Sequence, residues 1–204
     1  MAIKVIMVDV DGVIITHPDK SGWSTNLERD LGVSYSQLQF AFFDPHWEDI
    51  IHGRAGLRER LEPTLRNIKP ELSYDKLVDY WFYNDSHQNE RLISELGALR
   101  ASGIEVHLAT VQEHERANYL WNNLNFRRYF ERMHYAADLG SKKPNDAFYL
   151  SIQSRTGFNP EEIFFIDDKV ENVEAARACG WNAEVWTGGQ SLEALLRKSA
   201  LELR

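Results

Sequence analysis

Two aspartates define the chemistry open to this chain. Asp9 and Asp11 stand two residues apart where the β-forming run 5–8 (VIMV) breaks off, and Gly12 follows them. A carboxylate buried without partners is costly or stays protonated, so paired acids at a strand end must meet compensating charge. In an extended segment, side chains two residues apart share a face, so both carboxylates can aim at one spot beyond a sheet edge, and Gly12 permits a close turn there. Such a spot suits a hard divalent cation such as Mg²⁺, which takes a few carboxylate or carbonyl oxygens, keeps several waters and is commonly shared with a phosphate group. Asp9, a nearby main-chain carbonyl, and Asp167 or Asp168 would supply that set. On its own, the tetrapeptide 9–12 (DVDG) fits equally well a turn with a capping or calcium-like role.

Two further residues bear on the choice. Thr110 closes the segment 104–110 (IEVHLAT) and offers a hydroxyl, while Lys143 offers an ammonium just ahead of Pro144. Pro144 can occupy the first position of a helix through 144–154 (PNDAFYLSIQS). Lys143 would then stand beside a helix amino end, where partial positive charge already favours an anion. Taken singly, these are an ordinary strand-end threonine and a solvated lysine. Combined with paired aspartates on two strands, they describe a dry phosphate site surrounded by a metal, a lysine and a hydroxyl.

The elements that must position these residues alternate. After the first strand, 104–110, 132–136, 162–167 and 182–186 read as short strands rich in apolar or β-branched residues. Between them lie helical patterns. One places Leu92, Leu96 and Leu99 on one face and stops at Gly103; another places Val170, Val173 and Ala176 at helical spacing and stops at Gly180. This alternation predicts an α/β fold, a doubly wound, Rossmann-like parallel sheet with right-handed crossovers, whose ligands bind beyond the carboxyl ends of the strands. Asp9 and Asp11, Thr110, and Asp167 and Asp168 close three of those strands.

Residues 17–86 break the pattern with helical segments alone, punctuated by Gly32, Gly53 and Pro70. The expected division is an α/β core of residues 1–16 and 87–204 with a small all-helical cap, 17–86, inserted after the first strand. Trp23, Phe40, Phe42, Phe43, Trp47, Trp81 and Tyr83 concentrate in the insertion. They are expected to form its small core, with 23–31 and 40–50 as the stretches able to lend a residue or two to a pocket.

Composition narrows the function. The 204 residues are 43% hydrophobic and 26% charged, as in an ordinary globular protein, and the formal charge of −8 leaves no basic face for nucleic-acid phosphates. No run of about 20 apolar residues calls for a membrane. The single cysteine, Cys179, is expected to be a buried small hydrophobe in a helix, and with no basic leader after Met1 the expected compartment is the cytoplasm. His107, inside an apolar strand, is expected to be a satisfied core histidine. Oligomeric state leaves no signal.

Four ordered motifs carry a resemblance: hhhhDxDGV at 5–13, hhhhT at 106–110, KKP at 142–144 and FFIDDKVENVEAARACGW at 164–181. With them the chain resembles the haloacid dehalogenase superfamily of aspartate-nucleophile phosphatases, and the helical insertion resembles that superfamily's first class of cap. The resemblance implies a Mg²⁺-dependent phosphatase of a small phosphorylated metabolite such as a sugar phosphate. Asp9 would be the nucleophile that forms an aspartyl-phosphate, and Asp11 the acid and then the base. Asp9, the Asp11 main-chain carbonyl and Asp168 would bind the metal, with Asp167 binding directly or through water. Thr110 and Lys143 would neutralise the phosphoryl oxygens, and Asn172 would support the metal carboxylates. The alternatives are a phosphomutase, which shares every motif; a carbon–halogen hydrolase, which needs neither Asp11 nor the Asp167–Asp168 pair; and a silent member that binds without turnover. One departure stands out, because close relatives usually continue the second motif with asparagine, whereas Val111 and Gln112 follow Thr110.

Overall fold

The computed structural model describes residues 2–17, 22–198 and 202–203, so 1, 18–21, 199–201 and 204 of the expected division lie outside the described residues. A short strand β1 (Ala2–Ile3) precedes β2 (Val5–Val8), β3 (Glu105–Thr110), β4 (Arg132–Tyr135), β5 (Ile163–Asp167), β6 (Asn182–Val185) and β7 (Glu202–Leu203). β1 and β7 pair with each other, and the other five form one parallel sheet in the order β4-β3-β2-β5-β6.

Burial on both faces explains the near-continuous apolar runs of β2 and β5, every residue of which is buried. Alternation then divides each strand between two cores. Val5, Met7, Ala109 and Phe165 pack with Phe148, Tyr149 and Ile152 of the helix Asp146–Thr156, and with Val173 and Ala176 of the helix Val170–Ala178. Ile6, Val8, Leu108 and Ile166 face the other way, onto Leu92, Leu96 and Leu99 of the helix Glu90–Ala101. Gly103 and Gly180 turn the chain after their helices with positive φ, as their positions anticipate.

Three local expectations need correction. Val170 is 54% exposed, because it opens its helix beyond the strand ends and has no layer above it. Cys179 is half-buried at the helix C-cap, where the helical bonds give out, and not inside the helix. Pro144 lies outside the helix 146–156, which starts after an N-cap at Asn145 whose side chain accepts the Ala147 amide at 2.9 Å. His107 meets its expectation: it is 1% exposed and held between Glu105 at 2.9 Å and His134 at 3.2 Å.

Between β2 and the helix 90–101, the described residues form helical elements and no strand: Leu27–Leu31, Tyr35–Leu38, a π-helical turn Gln39–Phe43, Asp44–Ile51, Leu57–Ile68 and Tyr74–Asn84. They share a separate core that includes Phe42, Leu61, Leu77 and Trp81, against which Trp23, Phe43 and Trp47 pack. Phe40 and Tyr83 depart from the expected aromatic core, being 81% and 77% exposed. The insertion is gripped from the α/β side. Glu115 accepts from the Tyr74 hydroxyl at 2.7 Å, and Arg116 donates to the carbonyls of Phe82, at 3.0 Å, and Asp85. Gly53 is required where the two parts touch, since its φ is +70° and a Cβ there would lie 2.3 Å from the Ala137 carbonyl oxygen. Among the described residues no helix is long and apolar enough to cross a membrane.

Candidate active site

Sheet order and register bring the predicted acids together. In chain order the central strands run 3-2-1-4-5 across the sheet, so the winding reverses between β2 and β5, the place where open α/β sheets bind ligands. Val8 is level with both Leu108 and Ile166. One residue on, Asp9, Ala109 and Asp167 reach the carboxyl edge together, tied by the Asp9 amide donating to the Ile166 carbonyl at 3.0 Å. Asp9 follows Val5 and Met7 in alternation, and Asp167 follows Ile163 and Phe165, so both carboxylates project toward the same face.

Lys143 meets them there. Its ammonium lies 2.8 Å from Asp9 Oδ1 and 2.5 Å from Asp167 Oδ2, and it donates to the Ala109 carbonyl at 3.0 Å, which occupies its three N–H donors. Lysine is 5% exposed here, Asp9 5% and Asp167 fully buried. Its ammonium thus sits in an ion-pair centre at the strand ends, two residues ahead of the Asn145 N-cap of the helix Asp146–Thr156. Asn172 is buried and donates to both Asp167 oxygens at 3.0 Å, and the Tyr149 hydroxyl fixes it by donating to the Asn172 carbonyl at 2.8 Å.

Asp9, Asp167 and Asp168 each offer a carboxylate oxygen within 4.8 Å of the others. Gly12 permits this packing, because a Cβ there would lie 2.5 Å from Asp168 Oδ2. Of the six buried side-chain polar atoms left without partners among the described residues, two lie at this strand edge: Asp168 Oδ1 and the hydroxyl of the fully buried Thr110. Buried polar groups are almost always satisfied, so unpaired ones at a carboxylate cluster point to a ligand. With all three carboxylates ionised, one ammonium leaves an excess of two negative charges, and an all-oxygen donor set of this kind suits Mg²⁺.

Asp11 stands close by. The chain turns at Val10, whose carbonyl accepts the amides of Val13, Ile14 and Ile15, and the Asp11 carboxyl remains near enough to Asp9 to act on it. Asp11 is exposed beside the cluster and lies outside the set of three. There Gln112, 6% exposed, donates its side-chain amide to Asp11 Oδ2 at 2.7 Å. The sequence marked Gln112 only as a departure; its hydrogen bond joins residues 101 apart, which no local pattern reveals.

Burial governs the electrostatics of the site. Desolvation pushes the Asp9 carboxyl up to about 7, with Lys143 opposing and Asp167 and Asp11 adding to the rise. Asp11 is solvent-accessible yet hemmed in by protein, and desolvation, then Asp85, raises it to about 6. Asp168 is raised by burial and then by Asp167. Burial opposes the charge on Lys143, but Asp9 and Asp167 outweigh it and the ammonium is held above its ordinary range.

The sequence matches a known family. The chain belongs to the haloacid dehalogenase-like hydrolases, whose family profile matches residues 3–180. Among similar proteins, a phosphoglycolate phosphatase of Salmonella paratyphi A is 34% identical over 85 residues, 42% of this chain and only 34% of that relative's length. The phosphorylated carbohydrates phosphatase of Thermotoga maritima is 22% identical over 188 residues, 87% of this chain and 82% of its own. The fold is shared with a HAD family enzyme of Bacteroides thetaiotaomicron determined in complex with magnesium and inorganic phosphate, at TM-score 0.79 and 20% identity over 96% of this chain and all of that one. It is shared also with the L-2-haloacid dehalogenase of Xanthobacter autotrophicus, at TM-score 0.64 and 21% identity over 97% and 82%.

The raised Asp9 carboxyl gives a pH signature. Between its ordinary value of 3.8 and about 7, the unfolded chain has released this proton while the folded metal-free protein keeps it, so the contribution of Asp9 to stability falls as pH rises through that window. Asp9→Asn, which cannot ionise, should therefore gain stability relative to the native protein between about pH 4 and about pH 8 in a chelating buffer. Urea unfolding midpoints at the two pH values check this; an identical difference at both would show that Asp9 is not held protonated.

Proposed function

We propose that this chain is a Mg²⁺-dependent phosphomonoesterase of a small phosphorylated metabolite, such as a sugar phosphate, working in the cytoplasm through a phosphorylated Asp9. The observation that carries the reading is the unpartnered, fully buried Thr110 hydroxyl at the same strand edge as the Asp9–Asp167–Asp168 cluster and Lys143. It is a donor waiting for an acceptor, in a place already organised for a doubly charged anion and its counter-ion. Relatives named as phosphatases and a fold neighbour holding magnesium and phosphate support it.

Asp9, Asp167 and Asp168 would hold the ion, with the Asp11 main-chain carbonyl. When bound, Mg²⁺ offsets the charge of carboxylates and phosphate and keeps Asp9 ionised for attack. The Asp9 carboxylate attacks phosphorus and displaces the alcohol oxygen, to which Asp11 gives its proton; Asp11 then takes a proton from water as that water attacks phosphorus and frees Asp9. Thr110 donates to a phosphoryl oxygen and Lys143 orients Asp9 while offsetting charge on the moving group. Residues 17–86 act as a cap over the site and choose the leaving group, with the core formed by 1–16 and 87–204. A phosphomutase would differ only in presenting a second hydroxyl where water attacks, and inorganic phosphate release tells the two apart.

A panel of phosphorylated metabolites, read by phosphate release with and without Mg²⁺, tests the activity. Asp9→Asn should lower turnover at least about 1,000-fold while leaving the thermal transition cooperative, because it removes the nucleophile and keeps the shape. Near-native turnover by that variant would refute the covalent route. Asp11→Asn should lower kcat/KM by about 100-fold or more for alkyl phosphates and much less for 4-nitrophenyl phosphate, whose leaving group needs no proton. Equal losses on both would remove Asp11 from the acid role.

A further inference from the structure

We propose that Gln112 is a positioning residue that decides which oxygen of Asp11 delivers the proton; this rests on the acid role assigned to Asp11 above. The side-chain amide of Gln112 donates to Asp11 Oδ2 at 2.7 Å. A carboxyl oxygen that already accepts an N–H bond is the poorer seat for a proton, because the acid hydrogen would face the donor. The hydrogen is thereby directed to Oδ1, and the carboxyl plane is fixed relative to Asp9.

Gln112 can impose this orientation because it is buried and its backbone is held, while the Asp11 side chain reaches the surface. Asp11 is exposed, whereas Gln112 is 6% exposed and its carbonyl accepts the Ala137 amide at 3.1 Å. Immediately after it, Glu113 caps the short helix His114–Asn118. Its buried carboxylate accepts the amides of Glu115 at 2.7 Å and Arg116 at 2.5 Å. Arg116, 3% exposed, fastens the same turn to the carbonyl of Phe82 and lies over the rings of Phe82 and Tyr119, 5.1 Å and 5.4 Å from their centres. One stretch of seven residues, 110–116, therefore presents Thr110 to the phosphate position, holds Asp11 through Gln112 and grips the insertion through Glu115 and Arg116. The side chain two places beyond the strand-end threonine ties the acid to the same frame that presents the hydroxyl.

The test compares 4-nitrophenyl, phenyl and benzyl phosphates, which differ in leaving-group basicity but little in shape, with the Mg²⁺-loaded native protein, Gln112→Leu and Gln112→Asn. The readout is the ratio of kcat/KM for benzyl phosphate to that for 4-nitrophenyl phosphate. A merely structural residue would not move this ratio, because its loss scales all substrates together. Gln112→Leu, which keeps the bulk and removes the donor, should lower the ratio about tenfold, a share of what a well-placed general acid supplies. Gln112→Asn, which draws the amide back by one methylene, should lower it in the same direction and serves if the leucine variant fails to fold. An unchanged ratio in a folded variant overturns the proposal and leaves the phosphatase reading standing. A native protein inactive on all three phosphates and on the metabolite panel overturns both.

Discussion

A cluster of carboxylates at one edge of the sheet, two of them buried, is the constraint on which the rest of the structure depends. Asp9, Asp167 and Asp168 converge where β2 and β5 end, and Lys143 is the ammonium set among them. Breaking a buried ion pair by removing one partner costs about 3–5 kcal/mol, so this centre is a liability unless its charges are met. Lys143 meets part of the charge and is fully engaged in doing so. What remains is an oxygen-rich site with an unpaired Asp168 oxygen and an unpaired Thr110 hydroxyl. Under the proposed function, a cation and an anion together would meet both.

Much of the surrounding architecture serves to hold that charge in place. Parallel pairing with β2 level between β3 and β5 sets Asp9, Ala109 and Asp167 side by side, and the two-residue alternation points both carboxylates to one face. Asn172 then fixes both oxygens of Asp167, and Tyr149 fixes Asn172 from the next helix. Tyr149 in turn packs edge-on against Trp181 and Phe165 within the apolar layer. Hydrophobic packing beneath the sheet is thus converted into the orientation of a carboxylate at its edge, which is the support that a metal or phosphoryl site requires.

The sequence was most legible where chemistry coincides with the end of a periodic element. Asp9, Thr110, Asp167 and Asp168 could be placed because each ends a β-forming run, and parallel sheets put such ends together. The helical character of residues 22–84 was legible from the lack of any alternating segment within them. What escaped depended mainly on contacts between distant residues. Gln112 meets Asp11 across 101 positions, and Arg116 reaches the carbonyl of Phe82 across 34. The two-residue spacing of Asp9 and Asp11 did not reveal that one carboxylate meets Lys143 and the other Gln112. Pro144 was compatible with a helix start, yet Asn145 has the side chain that can cap one, and the helix begins after it.

Calorimetric titration of the chelator-treated protein with Mg²⁺ near neutral pH, alone and with inorganic phosphate, tests most directly whether the carboxylate cluster is a cation site. One ion per chain, bound more tightly when phosphate is present and lost in Asp168→Asn, is the predicted result. Absence of binding in the native protein, or binding that survives intact in Asp168→Asn, would contradict the account at its foundation.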